Sequence, residues 1–498
     1  MAPRVVSIIA ALIVTGAVVA PVAAVLWRGE GVTTLSAADW AALRFTVWQA
    51  VWSAVISVTL AIPVARALSR RRFWGRSALI SVMGAPFILP VIVAILGLLA
   101  VFGGKGAVNL LFAQFGLPKL DIYGAHGVIL AHVFFNLPLA VRLILQGWLA
   151  IPAERFQVAA SLGASLFWLL EWPMLRRIVP GTLAVIFTIC LGSFAVALTL
   201  GGGPRATTVE LAIYQAFKFD FDLSKAACLA IVQLALGVLA GTMALVLTKG
   251  DMIGAGFDRV VQRWDGSRMW DALWITMAAL FLLLPLAAVV LAGLPGILSL
   301  PGSIWSAAVR SVCVALGAVG LTLAIALPLA TRAGEAASLL GISVSGLVLG
   351  TGFFLLLQPV VRPQDVALPV TLLVNVLMSL PFVLRIVRPG VESAKADFAR
   401  LGQSLGLKGW GLWRIVYLPR LRRPLGFSSG LTAALAMGDL GVITLFSRPG
   451  EGTLPLIMYQ LMGAYQMEAA YAAALLLLGL SLGLFWAFDK GGRVNADV

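Results

Sequence analysis

Asp439 has the clearest chemical claim of any side chain in this 498-residue sequence. It falls inside an apolar run, 425–446. An acid in such surroundings is costly and is a functional candidate by default. The plainer alternative is a hydrogen bond to a neighbouring helix. At an offset of 245 residues its counterpart is Phe194, whose ring could stack on an aromatic ligand or simply pack. Ser193 precedes that phenylalanine, and Thr199 recurs as Thr444 at the same offset. Such groups can recognise a molecule, and nothing beside them suggests covalent chemistry. The two histidines, His126 and His132, are six apart, a poor spacing for sharing a metal on one helix. Cys190, Cys228 and Cys313 all lie in apolar runs and imply neither a disulfide framework nor a metal site. No G-x-x-x-x-G-K-[ST] loop occurs. Gly104-Lys105-Gly106 lacks the hydroxyl, so the chain has no usual means of holding ATP phosphates. No catalytic residue, cofactor or metal is therefore expected on it.

The elements that position these residues read as bilayer spans. The chain is 61% hydrophobic and 11% charged, with mean hydropathy +1.01. Soluble domains carry about 25% charged residues. The apolar runs are continuous over about 20 residues, which suits helices; barrel strands alternate over roughly 10. An all-α polytopic membrane protein is expected, with about twelve spans: 5–27, 45–68, 78–102, 128–149, 182–200, 226–247, 272–292, 306–330, 344–361, 366–387, 425–446 and 469–488. The first is longer than a signal-peptide core of about 7–15 residues and is expected to remain as a helix. A net charge of +15 could suggest nucleic acid. The basic residues instead sit at the ends of apolar runs, which excludes that class. With the amino terminus inside, all but ten of the 36 Lys and Arg residues fall on the cytoplasmic side, and both termini lie there.

The sequence also repeats itself. Leu137, Pro138, Arg142, Gly147, Ser161, Leu162 and Gly163 recur 243 residues later as Leu380, Pro381, Arg385, Gly390, Ser404, Leu405 and Gly406. Thr208, Tyr214 and Gln215 recur as Thr453, Tyr459 and Gln460 at an offset of 245. Two six-helix halves in the same orientation are expected, 1–248 and 272–498. The charged stretch 249–271 would be a cytoplasmic linker between them. Parallel repeats place a path on the axis between the halves. Each half carries one basic cytoplasmic loop with a glycine in its middle. A glycine can end one helix and permit a sharp turn into the next, and a proline can close the second. The product is a helical elbow suited to docking on a soluble partner.

The second loop resembles the E-A-A…G…I-x-L-P pattern of ABC importer permeases. Gly406 is followed at the right distance by Val416, Leu418 and Pro419, while Arg400, Leu401 and Gly402 stand at the E-A-A positions. The first loop keeps Gln157, Val158, Ala159 and Gly163, and its proline, Pro173, comes about three residues early. Within that family the chain looks like the fused permeases of bacterial thiamine transporters. The likeness rests on Glu171-Trp172-Pro173, Ser193-Phe194-Ala195, Leu200 to Pro204, Thr207 to Gln215 and Gly438 to Val442. It implies a type I importer fold in the cell inner membrane that moves thiamine and its phosphates by alternating access. Two copies of a cytoplasmic ABC ATPase would dock on Gln157, Ala159, Ser161, Gly163 and Pro173 in one half, and on Arg400, Ser404, Gly406, Leu418 and Pro419 in the other. Those partners would hold ATP and Mg²⁺. A periplasmic thiamine-binding protein would deliver the substrate. Thiamine is a cation, so Asp439 beside the path makes physical sense, with Phe194, Ser193, Thr199 and Thr444 as the other path residues. Fused ferric-iron permeases share the duplicated design. An ion-coupled transporter would need several paired intramembrane acids, and only Asp439 stands out.

Overall fold

The computed structural model describes residues 2–29, 35–84, 88–203, 206–248, 266–331, 334–335, 338, 341, 344–406, 410–448 and 450–493. Most of the expected linker, 249–265, lies outside them. All regular structure among the described residues is helical. Eleven helices there are long and apolar enough to cross a membrane. Trp27, Trp74, Trp270, Trp305 and Trp486 are exposed near the ends of long helices, as an interfacial aromatic belt requires.

In chain order the helices are α1 (Ala2–Gly29), α2 (Ala37–Arg70), α3 (Arg76–Val82), α4 (Val91–Phe102), α5 (Ala107–Gln114), α6 (Ala125–Leu149), α7 (Ala153–Ser161), α8 (Trp172–Leu191), α9 (Phe194–Leu200), α10 (Val209–Lys218) and α11 (Leu223–Leu247). They continue as α12 (Arg268–Gly293), α13 (Gly302–Leu329), α14 (Gly346–Leu357), α15 (Ala367–Ser404), α16 (Leu418–Met437), α17 (Gly441–Phe446), α18 (Leu454–Gly463) and α19 (Met467–Arg493).

Several expected spans are broken, each for a local reason. The run 78–102 divides into α3 and α4, and Pro90 caps α4 because a proline disfavours helix in the residue before it. The run 344–361 holds only the 12 residues of α14, about 18 Å at the helical rise. The runs 182–200 and 425–446 break at Gly192 and Gly438, each the C-cap of the longer helix. Asp439 therefore lies in a break between two helices, not inside one.

One packing scheme occurs twice. Helix α2 packs on α6 and α8, and α8 on α11; likewise α13 packs on α15 and α16, and α16 on α19. The first helix of each series crosses to the other series: α1 lies on α14 and α13, and α12 lies on α4 and α2. Both crossings are backbone-close at a glycine. A Cβ on Gly97 would stand 2.5 Å from the Pro285 carbonyl oxygen, and one on Gly352 would stand 2.6 Å from Pro21 Cβ. The α12 crossing also carries a buried ionic latch. Asp271 accepts from Arg70 Nε at 2.9 Å and Arg71 Nε at 2.6 Å, and Arg71 Nη2 donates to the Gly266 carbonyl at 2.6 Å.

Candidate functional site

The two glycine-centred loops fold into elbows. In the first, Pro152 breaks the chain after α6, and α7 then runs to Ser161. Gly163 comes next but one, with φ +62°, the left-handed region that glycine enters without a side-chain clash. The Gly163 N–H donates to Ala160 O at 3.1 Å and the Ala164 N–H to Ala159 O at 3.0 Å, the paired bonds of a Schellman stop. In the second elbow Lys395 stands where Pro152 would recur at an offset of 243. No break occurs, and α15 runs unbroken for 38 residues to Ser404. Gly406 then takes φ +67°. The side chains of Arg400, Leu401 and Gln403 lie outside the described residues.

Beyond each glycine the elbows converge on one geometry. A five-residue π turn, Phe167–Glu171 or Trp413–Tyr417, leads directly into α8 or α16. Pro173 and Pro419 then occupy the same position, the second residue of those helices. The three-residue shortening of the first loop thus lies before Phe167 and leaves the proline's place unchanged. These prolines do not close a helix, as the sequence suggested; each comes after a π turn whose wider backbone suits a residue without an N–H. Glu171 is buried and pairs with Arg66 of α2 at 2.9 Å. Tyr417, buried at the equivalent place, packs edge-on against Trp413. Gln157, Ser161, Gly163, Pro173, Ser404, Gly406, Leu418 and Pro419 are exposed, while Ala159 is buried under its elbow. Large apolar side chains stand out beside them: Leu162 is 74% exposed, Trp168 65%, Leu405 65% and Ile415 62%.

Asp439 and Phe194, two of the residues expected along a path, meet elsewhere, where α9 and α10 face α14 and α17. Asp439 Oδ1 accepts from the Gly441 N–H, the first of α17, at 3.1 Å, and its Oδ2 accepts from Asn375 Nδ2 of α15 at 3.3 Å. The bond to a neighbouring helix therefore exists, and the carboxylate is also held in a fixed orientation. Counted from the C-caps Gly192 and Gly438, the counterpart of Asp439 is Ser193 instead of Phe194. Phe194 is still its neighbour in space: a Cβ on Gly441 would lie 3.7 Å from Phe194 Cδ1 and 3.8 Å from Asp439 Oδ1. The Phe194 ring meets Tyr214 of α10 edge-on at 5.4 Å. Thr199 and Thr444 are not turned toward this group. Their hydroxyls donate to Ala195 O at 2.7 Å and Gly441 O at 2.6 Å, within or beside their own helices.

Sequence reasoning missed α10, which it left outside every span, between 182–200 and 226–247. Thr208 caps this helix by accepting from the Leu211 N–H at 3.3 Å, and Val209, Ala212, Ile213, Ala216 and Phe217 form its buried face. The Val209 N–H also donates to Thr46 Oγ1 at 2.8 Å, just as the Leu454 N–H of α18 donates to Ser311 Oγ at 2.8 Å. Helix α10 lies outside the eleven crossing helices and brings in Glu210, which is 2% exposed. Burial pushes the Glu210 carboxyl up to about 7, against the weaker pull of Ser345, Gln233 and the Phe194 N–H. An acid at the second position of a short, mostly apolar segment after a Thr-Thr cap was the available signal.

No family model matches the chain. It is similar to the thiamine transport system permease protein ThiP of Salmonella typhimurium, 39% identical over 477 residues, which cover 91% of this chain and 89% of that protein. The protein of the same name from Escherichia coli is 38% identical over 486 residues, 92% and 90% of the two chains. A shorter likeness joins it to the sulfate transport system permease protein CysW of Synechococcus elongatus, 33% identical over 153 residues, 28% of this chain and 54% of that one.

Proposed function

The chain belongs to the family of thiamine transport system permeases, and from that premise we propose that it carries thiamine across the cell inner membrane as the transport subunit of an ABC importer. The observation that carries the reading is likeness to thiamine permeases along nine-tenths of the chain. The two elbows, each with apolar side chains left in the open, supply the docking points such a subunit needs. Two copies of a cytoplasmic ATPase would bind there and hold ATP and Mg²⁺, and a periplasmic binding protein would deliver the substrate.

Alternating access then needs a joint that can open between two rigid series of helices. The crossed helices α1 and α12 keep the halves together while the elbows move. The joint of α9, α10, α14 and α17 is the substrate path in this reading. Asp439 faces the cation there, and Phe194 and Tyr214 offer aromatic surface to its rings. Counting the short apolar helix α14 as a twelfth crossing in this reading, both termini and both elbows lie on the cytoplasmic side with the ATPases, and α10 lies toward the periplasm.

ATP hydrolysis by the chain with its ATPase in liposomes tests this. The expected result is stimulation by a binding protein loaded with thiamine. Stimulation only by a ferric-iron-loaded binding protein would keep the architecture and overturn the substrate. Failure of the ATPase to associate would overturn the docking role of the elbows.

A further inference from the structure

We infer that the Glu171–Arg66 pair is a positioning device for coupling: through α2 it fastens the first elbow to α12 of the other half, so that the two docking points drive the halves unequally. This rests on the reading of the elbows as ATPase docking points.

The C-terminal end of α2 carries Arg66, Arg70 and, at its C-cap, Arg71. Residues four apart on a helix share a face, so Arg66 and Arg70 lie one turn apart on the same side. Each meets a buried acid brought from another element. Arg66 Nε lies 2.9 Å from Glu171 Oε2, and Glu171 is fully buried at the end of the π turn of the first elbow. Arg70 and Arg71 hold Asp271 in the first turn of α12. Helix α12 opens the second half in sequence but packs on α2 and α4 of the first. One helix end therefore joins an elbow of one half to the opening helix of the other. Parting a buried ion pair leaves a charge uncompensated, so both joints resist separation. The first elbow, α2 and α12 are built to move as one body.

The second half repeats the elbow without this fastening. Tyr417 stands at the place of Glu171 and packs edge-on against Trp413 of its own π turn. Thr59 to Ile62 match Thr322 to Ile325 at an offset of 263, which puts buried Leu329 of α13 at the place of Arg66. Helix α1, the counterpart of α12, contains no acid to match Asp271. Helix α15, which runs into the second elbow, pairs Arg388 with Glu335 at 2.7 Å and Arg385 with Glu335 at 3.9 Å. Those pairs stay within the second half. A push on the first elbow thus carries α12 with it, while a push on the second elbow reaches α1 only through apolar contacts, which are non-directional.

The test is uptake of radiolabelled thiamine per ATP hydrolysed, in liposomes holding the chain, its ATPase and its binding protein. Glu171→Gln removes the charge at nearly constant shape. It should keep the ATPase bound and lower uptake per ATP by about fivefold, the scale of one coupling contact. Exchanging the pair, Arg66→Glu with Glu171→Arg, should restore most of the wild-type ratio. A pair that only held the fold would change the amount of active protein and leave that ratio as it was. An unchanged ratio in Glu171→Gln, or an exchanged pair that stays uncoupled, overturns the inference. Spin labels decide the matter if those variants do not fold. With Cys190, Cys228 and Cys313 replaced, labels on Glu154→Cys of α7 and Met269→Cys of α12 should keep their spacing when ATP binds. Labels on Asp397→Cys of α15 and Val6→Cys of α1 should change theirs. A change in the first spacing, or constancy in both, overturns the inference. A wild type that binds no ATPase overturns the docking reading and the inference with it, whereas a bound ATPase with an unchanged ratio overturns the inference alone.

Discussion

Adding one methyl group to Gly352 should loosen the crossing of α1 over α14. The new Cβ would stand 2.6 Å from the carbonyl carbon and from Cβ of Pro21. Carbon atoms rest at about 3.5–4.0 Å, so roughly an ångström must open between the two helices. The atoms met are backbone and a proline ring, which cannot swing aside as a flexible side chain would. Overpacking of this kind costs about 1–3 kcal/mol, here toward the upper part of the range. Alanine in place of glycine returns about 1 kcal/mol of helix propensity. Gly352→Ala should therefore lose about 1–2 kcal/mol net. Gly97→Ala at the α12 crossing should lose a similar amount, since its Cβ would stand 2.5 Å from the Pro285 oxygen and 2.9 Å from the carbonyl carbon. Gly479 of α19 is the control: its Cβ would meet nothing within 4 Å, so alanine there should gain stability. The gap between control and crossing variants, about 2–3 kcal/mol, is roughly a 30- to 150-fold change in the unfolding equilibrium. Unfolding in detergent, followed by the fluorescence of the 15 tryptophans, measures it. Crossing variants that unfold together with Gly479→Ala would refute the close crossings.

Four further outcomes are expected. Asp271→Ala leaves two guanidinium groups crowded at a buried site and should cost about 3–5 kcal/mol, a loss that 1 M salt does not erase; a variant as stable as the wild type would rule out the latch. Proline cannot adopt the φ of +67° at Gly406. Gly406→Pro should therefore lower ATPase co-purification while the spans unfold as before, and normal co-purification would sink the docking role. Asp439→Asn keeps an oxygen to accept from the Gly441 N–H, so the fold should persist while thiamine uptake drops by about tenfold; undiminished uptake would take Asp439 off the path. The Glu210 carboxyl titrates near 7 in the folded chain against an ordinary value of 4.5. The folded state thus keeps its proton longer than the unfolded one. The contribution of this acid to stability should be greatest below about pH 4.5, fall by about 3 kcal/mol as pH rises to about 7, and level off above it. Glu210→Gln should remove this part of the pH slope, and identical slopes in both proteins would contradict the buried state of the acid.

Composition and local backbone rules were enough to establish part of this protein from its sequence. Apolar runs of about 20 residues dictate helices that cross a bilayer, because no other element satisfies its backbone there. The repeat located both elbows, since Gly163 and Gly406 are marked by an intrinsic need for a left-handed turn. Asp439 was visible because an acid in an apolar run is conspicuous by itself.

Tertiary structure decided whatever depends on contact between distant segments. Pro173 looked misplaced by three residues until the π turns placed it level with Pro419. Asp439 looked embedded in a span, but Gly438 breaks that span, and the acid accepts the first N–H of α17. The approach of α1 to Gly352 and of α12 to Gly97 leaves no local trace, because a glycine reserved for another backbone looks like any other glycine. Glu210 was hidden by ordinary-looking neighbours in the sequence: Ser345, Gln233 and Phe194, which come beside the buried acid, are remote from it along the chain. An acid's cost is set by the charges around it, and those are assembled only when the two series of helices meet.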